Sequence, residues 1–140
     1  MIILVKVLQD IWILTENGIV LFHRVFNEKV DEQLFGGLMA ALNSFAEELV
    51  KTGLSNFELQ NKRYTIIKRN NLLFIANSSK NVKEKKVTEE LDIVANKFFE
   101  LFSLDMLKNW DNDVNTFLVF ENEIKNSLEE TIKKFQDAFW

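Results

Sequence analysis

Two apolar runs joined by an Asn-Gly pair constrain the fold of this chain more than any other feature. The first run covers residues 11–15 and the second covers residues 19–26. Asn17-Gly18 lies between them, and Asn-Gly is the strongest short-range hairpin signal. Strands that are apolar at every position, instead of alternating, are typical of strands covered on both faces. The sequence therefore predicts a hairpin inside a sheet with helices on both sides.

A long helix is predicted over residues 30–53. Asp31 is a suitable N-cap, since its carboxylate can accept a hydrogen bond from a free amide of the first turn. Gly53 can end the helix, because glycine takes a left-handed conformation without steric cost. Gly36 and Gly37 lie inside the helix, where each costs about 1 kcal/mol relative to alanine. This cost predicts a close approach of another backbone to the helix.

The predicted helix carries two adjacent apolar stripes at helical spacing. The first contains Leu34, Leu38, Ala41, Leu42, Phe45 and Leu49. The second contains Phe35, Met39, Ala46 and Val50. Together they are wider than the arc of about 100° that packing on one surface requires. Two interpretations follow: a deeply buried core helix, or a core helix whose second stripe is also a partner interface.

Three strands follow at residues 56–60, 63–69 and 72–76, and short turns join them into an antiparallel meander. The first of these alternates apolar and polar residues, as a half-buried edge strand does. A polar, basic connection over 77–86 leads to a helix with an apolar stripe over 87–102. Residues 104–112 are predicted to be irregular with Trp110 as their anchor, and Asp113 to cap a final helix over 113–140. The element order is β-β-α-β-β-β-α-α in one domain over 1–140. Residues 1–8 are an N-terminal extension for which the sequence does not choose between a strand, a short helix and a loose arm.

Composition excludes several functional classes. The 140 residues contain no cysteine and one histidine, which excludes disulfides and thiolate metal sites and argues against a zinc site. No apolar run reaches the length of about 20 residues that spans a bilayer, and no signal peptide is recognised. A cytoplasmic location is therefore predicted. The net charge of −4 argues against a general nucleic-acid binder.

One segment reverses the overall charge. Between residues 62 and 86, eight basic residues against the single Glu84 give +7, so the net charge of −4 leaves −11 on the rest of the chain. Such a segment is typical of a solvated loop region, or of a rim that meets an acidic partner or an anionic membrane surface. The basic rim consists of Lys62, Arg63, Lys68, Arg69, Lys80, Lys83, Lys85 and Lys86.

No constellation of residues predicts catalysis, a cofactor or a metal. His23 has no partner base or nucleophile that the sequence identifies, so it is interpreted as structural or solvent-facing. An aspartate-rich segment beginning at Asp111 fails the calcium-loop pattern, which needs Gly at its sixth position, where Thr116 stands. Gly36-Gly37 lacks the Gly-rich loop and the Lys-Ser/Thr pair of a phosphate-binding P-loop.

The element order resembles the longin fold and the related roadblock fold. The segments that carry the resemblance are QDIWILTENGIVLF (9–22), LMAALNSFA (38–46) and NWDNDVNTF (109–117). These segments are most similar to archaeal longin-like relatives of eukaryotic trafficking components. The resemblance implies an α+β domain with a five-stranded, mainly antiparallel sheet and helices on both faces. None of the three segments is catalytic, so the functional expectation rests on analogy of fold.

The resemblance also implies a non-enzymatic interaction module. It implies a dimerising adaptor or platform for a small Ras-like GTPase, as a homodimer or heterodimer, with peripheral membrane contact as an option. The predicted interface joins the second stripe (Phe35, Met39, Ala46, Val50) to the edge strand (Asn56, Phe57, Glu58, Leu59, Gln60). An edge strand can accept a strand from another chain. The alternatives are a small-molecule sensor and a subunit of a larger coat or tether complex.

Overall fold

The computed structural model describes residues 8–25, 31–50, 55–58, 62–111 and 113–121. Its strands are β1 (Ile11–Thr15), β2 (Val20–Arg24), β3 (Asn56–Glu58), β4 (Lys62–Arg69) and β5 (Leu72–Ser79). Its helices are α1 (Glu32–Leu49), α2 (Glu84–Leu101) and α3 (Leu104–Lys108), followed by a 3₁₀ turn (Val114–Phe117). The observed order agrees with the predicted order from the first strand to α2.

All five strands form one sheet in the order β2-β1-β5-β4-β3, and every pair is antiparallel. β1 lies beside β5, with Ile11 opposite Ala76 and Thr15 opposite Leu72. The hairpin therefore joins the meander through its first strand, and β2 and β3 are the two edges. This arrangement confirms the predicted α+β fold with a five-stranded antiparallel sheet.

The two tight turns follow from residues that tolerate left-handed backbone. Gly18 has φ of 93° in the turn between β1 and β2. Asn70 and Asn71, with φ of 51° and 66°, connect β4 to β5. Asparagine is among the few non-glycine residues that adopt this region readily. Both turns lie where the sequence predicts them.

Each face of the sheet has its own core. Ile11 and Ile13 point to the side covered by α2 and the 3₁₀ turn, while Trp12 and Leu14 point to the side covered by α1. This alternation follows from the period of two along a strand. Covering on both faces explains why β1 is apolar at four successive positions.

Four local features differ from the sequence-based predictions. α1 ends at Leu49, with Val50 extended as its C-cap, short of the predicted end at residue 53. β5 continues to Ser79, so Asn77 lies within a strand and not in a connection. The segment predicted to be irregular contains α3, whose start is capped by the Ser103 hydroxyl accepting from the amide of Met106 at 3.2 Å. Asp113 is a cap, as predicted, but the element it caps is a 3₁₀ turn. Gly53, Leu59, Gln60, residues 1–7 and most of the predicted final helix lie outside the described residues.

Candidate functional site

The start of α1 is fixed against the hairpin. The carboxylate of Asp31 accepts hydrogen bonds from the amides of Gln33 and Leu34, which confirms the predicted N-cap. A Cβ at Gly36 would overlap the carbonyl oxygen of Gly18 and come within 2.6 Å of Val20 Cγ2. The predicted close backbone approach is therefore present at Gly36.

Gly37 differs from its neighbour. A Cβ at Gly37 would meet nothing within 4 Å, and the residue is exposed. Contacts with described residues therefore explain why position 36 is glycine, but they do not explain why position 37 is glycine.

The inner face of α1 packs on the sheet. Met39 is 2% exposed and belongs to the core that contains Trp12. Phe35 stacks on Trp12 with ring centroids 4.2 Å apart and a 25° interplanar angle. Gly36 and Asn43 are also buried on this face. The second apolar stripe of the sequence is therefore mostly the inner face of α1.

The outer face of α1 is apolar and open to solvent. Phe45 is 66% exposed and Leu49 is 72% exposed. Ala41 is also exposed on this side of the helix. We call this surface the outer face; its large members are Leu34, Leu38, Leu42, Phe45, Leu49 and Val50. Contiguous exposed apolar surface is uncommon on monomers and marks interaction sites.

The structure places the four helix residues of the predicted interface in different surroundings. Met39 is buried and Phe35 is half-buried against Trp12, so both pack inside this chain. Ala46 is half-buried, and only Val50 lies in the open. Helical spacing shows which residues share a face, but it does not choose between two apolar faces. Here the contact at Gly36 decides which face turns inward.

The edge strand β3 adjoins this layer. Phe57 stacks on Tyr64 of β4 with centroids 4.8 Å apart and nearly parallel rings. The Asn56 side-chain amide donates to the Glu84 carboxylate at 2.8 Å, which ties the strand to the start of α2. β4 flanks β3 on one side, and no described strand flanks it on the other. β3 is thus an edge strand held by side chains, as predicted.

The basic rim is partly neutralised within the chain. Arg63 Nε donates to Glu58 at 3.1 Å, and its Nη1 donates to the carbonyl of Val82 at 3.1 Å. Lys80 pairs with Glu58 at 3.5 Å. The hydrogen bond from Arg63 holds the pKa of Glu58 below its usual value. These contacts brace β3 against the turn that precedes α2.

Three further members of the rim are paired. Lys68 pairs with Glu16 and with Glu47 (3.3 Å), Arg69 with Asp92 (2.7 Å), and Lys86 with Glu90 (3.4 Å). Hydrogen bonding to Glu16, and then to Glu47, raises the pKa of Lys68. Lys62, Lys83 and Lys85 have no ion pair with a described residue. The rim is thus a set of separate ion pairs with three remaining charges, and not one concentrated basic patch.

A buried polar cluster was not foreseen from the sequence. Asn77 is 1% exposed, and its side-chain amide donates to the carboxylate of Asp10 at 2.9 Å. In return, the Asp10 amide donates to Asn77 Oδ1 at 2.9 Å. Burial lowers the pKa of Arg24, and the nearby charges of Asp10 and Glu121 oppose that shift. The cluster joins the segment before β1 to the end of β5.

We searched the described residues for groups that could bind a metal ion and for helices that could span a membrane. No group of three or more His, Cys, Asp or Glu among them could hold a metal ion. None of the described helices is long and apolar enough to cross a membrane. The described surface features that bear on function are the outer face of α1 and the edge strand β3.

Comparison with known proteins identifies a family and a fold. The family model of the first longin domain of FUZ, MON1 and HPS1 matches residues 9–135. No curated protein sequence is significantly similar to this chain.

Two of the solved structures that share its fold illustrate the likeness. Myxococcus xanthus MglB is 12% identical with a TM-score of 0.55, over 68% of this chain and 85% of that one. A Roadblock/LC7 domain from Streptomyces avermitilis is 10% identical with a TM-score of 0.52, over 63% of this chain and 79% of the other. At these identities the likeness supports the fold alone.

Proposed function

This chain belongs to the family of the first longin domain of FUZ, MON1 and HPS1, and we propose that it is a non-enzymatic adaptor that pairs with a second subunit. We further propose that it is a platform for a small Ras-like GTPase in a trafficking- or polarity-like system. The observation that carries the proposal is the outer face of α1. An exposed apolar surface of this kind lowers the solubility of a protein unless a partner covers it.

The helix sequence supports a partner that approaches closely. Gly37 and Ala41 are exposed and lie one turn apart, next to Leu34 and Leu38. A glycine within a helix costs about 1 kcal/mol relative to alanine, and no described residue comes close enough to require glycine at position 37. Close backbone approach is one of the established reasons for glycine. A second helix packed across Gly37 supplies that reason.

A second copy of this chain fits the surface. In a two-fold interface the outer face of α1 meets the same face of its partner, with the two helices antiparallel. We propose that the β3 edge extends this contact.

The subunit proposal is tested by placing charge on the outer face. The double variant Phe45→Asp, Leu49→Asp should be a folded monomer, whereas the wild type should scatter light as about two chains of 16.4 kDa. A matched control is Leu118→Asp, because Leu118 is 62% exposed and lies outside α1. The control should keep the wild-type mass. Identical masses for all three proteins would contradict the proposed interface.

The GTPase proposal needs its own experiment. Purified Ras-like GTPases from the same genome, loaded with GDP or a non-hydrolysable GTP analogue, are titrated into the wild-type protein in a calorimeter. We expect at least one to bind, with different affinity in the two nucleotide states. If no GTPase binds in either state while the chain still forms pairs, the platform role is wrong and the subunit role stands.

A further inference from the structure

The two edges of the sheet differ in what covers them. On β2, the Val20 amide donates to Gln33 Oε1 at 3.0 Å, and Gln33 Nε2 donates to the Val20 carbonyl at 3.3 Å. One side-chain amide thus satisfies both main-chain groups of Val20. The exchange of both hydrogen bonds with one residue is what a neighbouring antiparallel strand would supply. Gln33 therefore occupies the place of an added strand at this point of the β2 edge.

Gln33 is held in position by its surroundings. Its own amide donates to the carboxylate of Asp31 at 3.0 Å, within the N-cap of α1. Three residues along the helix, Gly36 lies against Gly18 and Val20, so the first turns of α1 cannot move away from β2 without loss of that contact. A side chain presented by a fixed helix loses less conformational entropy on bonding than a free one. The amide is therefore a preformed cover for the β2 edge.

The β3 edge has no such cover among the described residues. Its side chains are engaged within the chain: Asn56 with Glu84, Phe57 with Tyr64, and Glu58 with Arg63. These contacts hold the strand in place, and no described side chain bonds to its main chain from the outer side. An edge strand without a cover is a template for strand addition.

We propose that Gln33 closes the β2 edge to a second copy of this chain, so that strand addition is confined to β3. The reason is the number of usable edges. A chain with one usable edge can only pair, because the contact is used up when two copies meet. A chain with two usable edges can join a further copy at each end and grow without limit. The inference rests on the pairing proposed above, and it assigns to Gln33 the task of limiting assembly to a pair.

The test removes the amide and follows two readouts. Gln33→Ala removes the side chain, and Gln33→Met keeps its length and helix propensity without hydrogen-bonding groups. Ser44→Ala is the matched control, since Ser44 is an exposed polar residue on the same flank of α1 and bonds to no strand. The readouts are hydrogen exchange of the Val20 amide and weight-average mass across a 100-fold range of concentration, roughly the span over which edge pairing by mass action becomes visible. Circular dichroism establishes that each variant is folded.

We expect the Val20 amide to exchange at least about 10-fold faster in both Gln33 variants, since its hydrogen-bond partner is gone. We expect their mass to rise continuously with concentration, while the wild type and Ser44→Ala reach a plateau. If exchange accelerates but the mass curves coincide with that of the wild type, the edge does not assemble and the inference is overturned. Unchanged exchange would overturn it too. A wild type that stays at the mass of one chain, with Gln33 variants that associate, would contradict the proposed pairing and support the role of Gln33.

Discussion

The two helical layers of this molecule use their apolar residues in opposite ways. Val87, Leu91 and Phe98 of α2 are all 0% exposed, so this helix buries one face on the sheet, while Ile93 and Leu101 face solvent. In α1, Met39 is the one large apolar residue that is buried, and Phe45 is among those that face solvent. Both helices have 18 residues. The difference therefore lies in orientation and not in size.

The α2 layer is complete within one chain. Phe98 forms edge-to-face contact with Phe120 at 5.2 Å and stacks near Phe117 at 5.6 Å, so the 3₁₀ turn and the residues after it close the layer over the helix. Nothing described closes the α1 layer in the same way. Burying apolar surface is favourable by about 25 cal/mol per Å², and the outer face of α1 leaves that gain unused in a single chain. The comparison indicates that described residues cover most of the α2 layer, whereas the α1 layer leaves a row of large apolar side chains exposed.

Removing an aromatic ring from each layer is the strongest test of this contrast. Phe98→Ala should lower the free energy of unfolding by about 3–5 kcal/mol, because it leaves a cavity among packed rings. Phe45→Ala should change the stability of the single chain by no more than about 0.5 kcal/mol, as is usual for a surface side chain. Urea unfolding of both variants in dilute solution measures the difference. Equal losses would show that the two layers are equivalent.

The adjacent glycines of α1 provide a finer test. Gly36→Ala should cost about 1–3 kcal/mol, because its Cβ would collide with the hairpin. Gly37→Ala should stabilise the single chain by up to about 1 kcal/mol, because it improves helix propensity and meets nothing. Thermal unfolding compares the two variants, and light scattering should show weaker pairing for Gly37→Ala. A Gly37→Ala protein that pairs as well as the wild type would remove the argument for a helix crossing at this residue.

The smallest expected effect concerns Lys68, which joins the hairpin and α1 through Glu16 and Glu47. Its pKa is raised in the folded protein above the ordinary value of 10.5. The stability it contributes is therefore fully present below that pH and is lost as the pH rises through the higher folded value. The difference in Tm between wild type and Lys68→Met should be small at neutral pH and should vanish in alkaline solution. Lys85→Met is the control, since Lys85 pairs with no described residue, and its Tm difference should not depend on pH in this way.

Much of the fold follows from local signals in the sequence. The bounds of β1, the Asn17-Gly18 turn and the Asp31 cap all lie where residue type alone places them, because each depends on near neighbours. The strand meander follows for the same reason. The element order that these features predict is also the basis of the resemblance to longin domains.

The candidate site depended on contacts that local signals do not contain. The two stripes of α1 have similar apolar character, and only the packing of Gly36 on the hairpin selects the inner one. In the sequence, Gln33 has the features of an ordinary exposed residue in a first helical turn. No sequence pattern predicts its hydrogen bonds to Val20. Asn77 looks like the start of a polar loop until Asp10, 67 residues away, is seen to satisfy its amide.

The place of β1 beside β5 determines how the chain can be divided. On the side away from β2, β1 pairs with β5, which is formed by residues 72–79. Any fragment that ends before Leu72 therefore leaves one edge of the apolar strand β1 unpaired. Such a fragment presents an open, hydrophobic strand edge, which is a site of aggregation. The same exposure exists during synthesis until β5 has left the ribosome. Expression of this protein as two fragments divided between α1 and β3 should therefore fail, even though each fragment contains a complete hairpin.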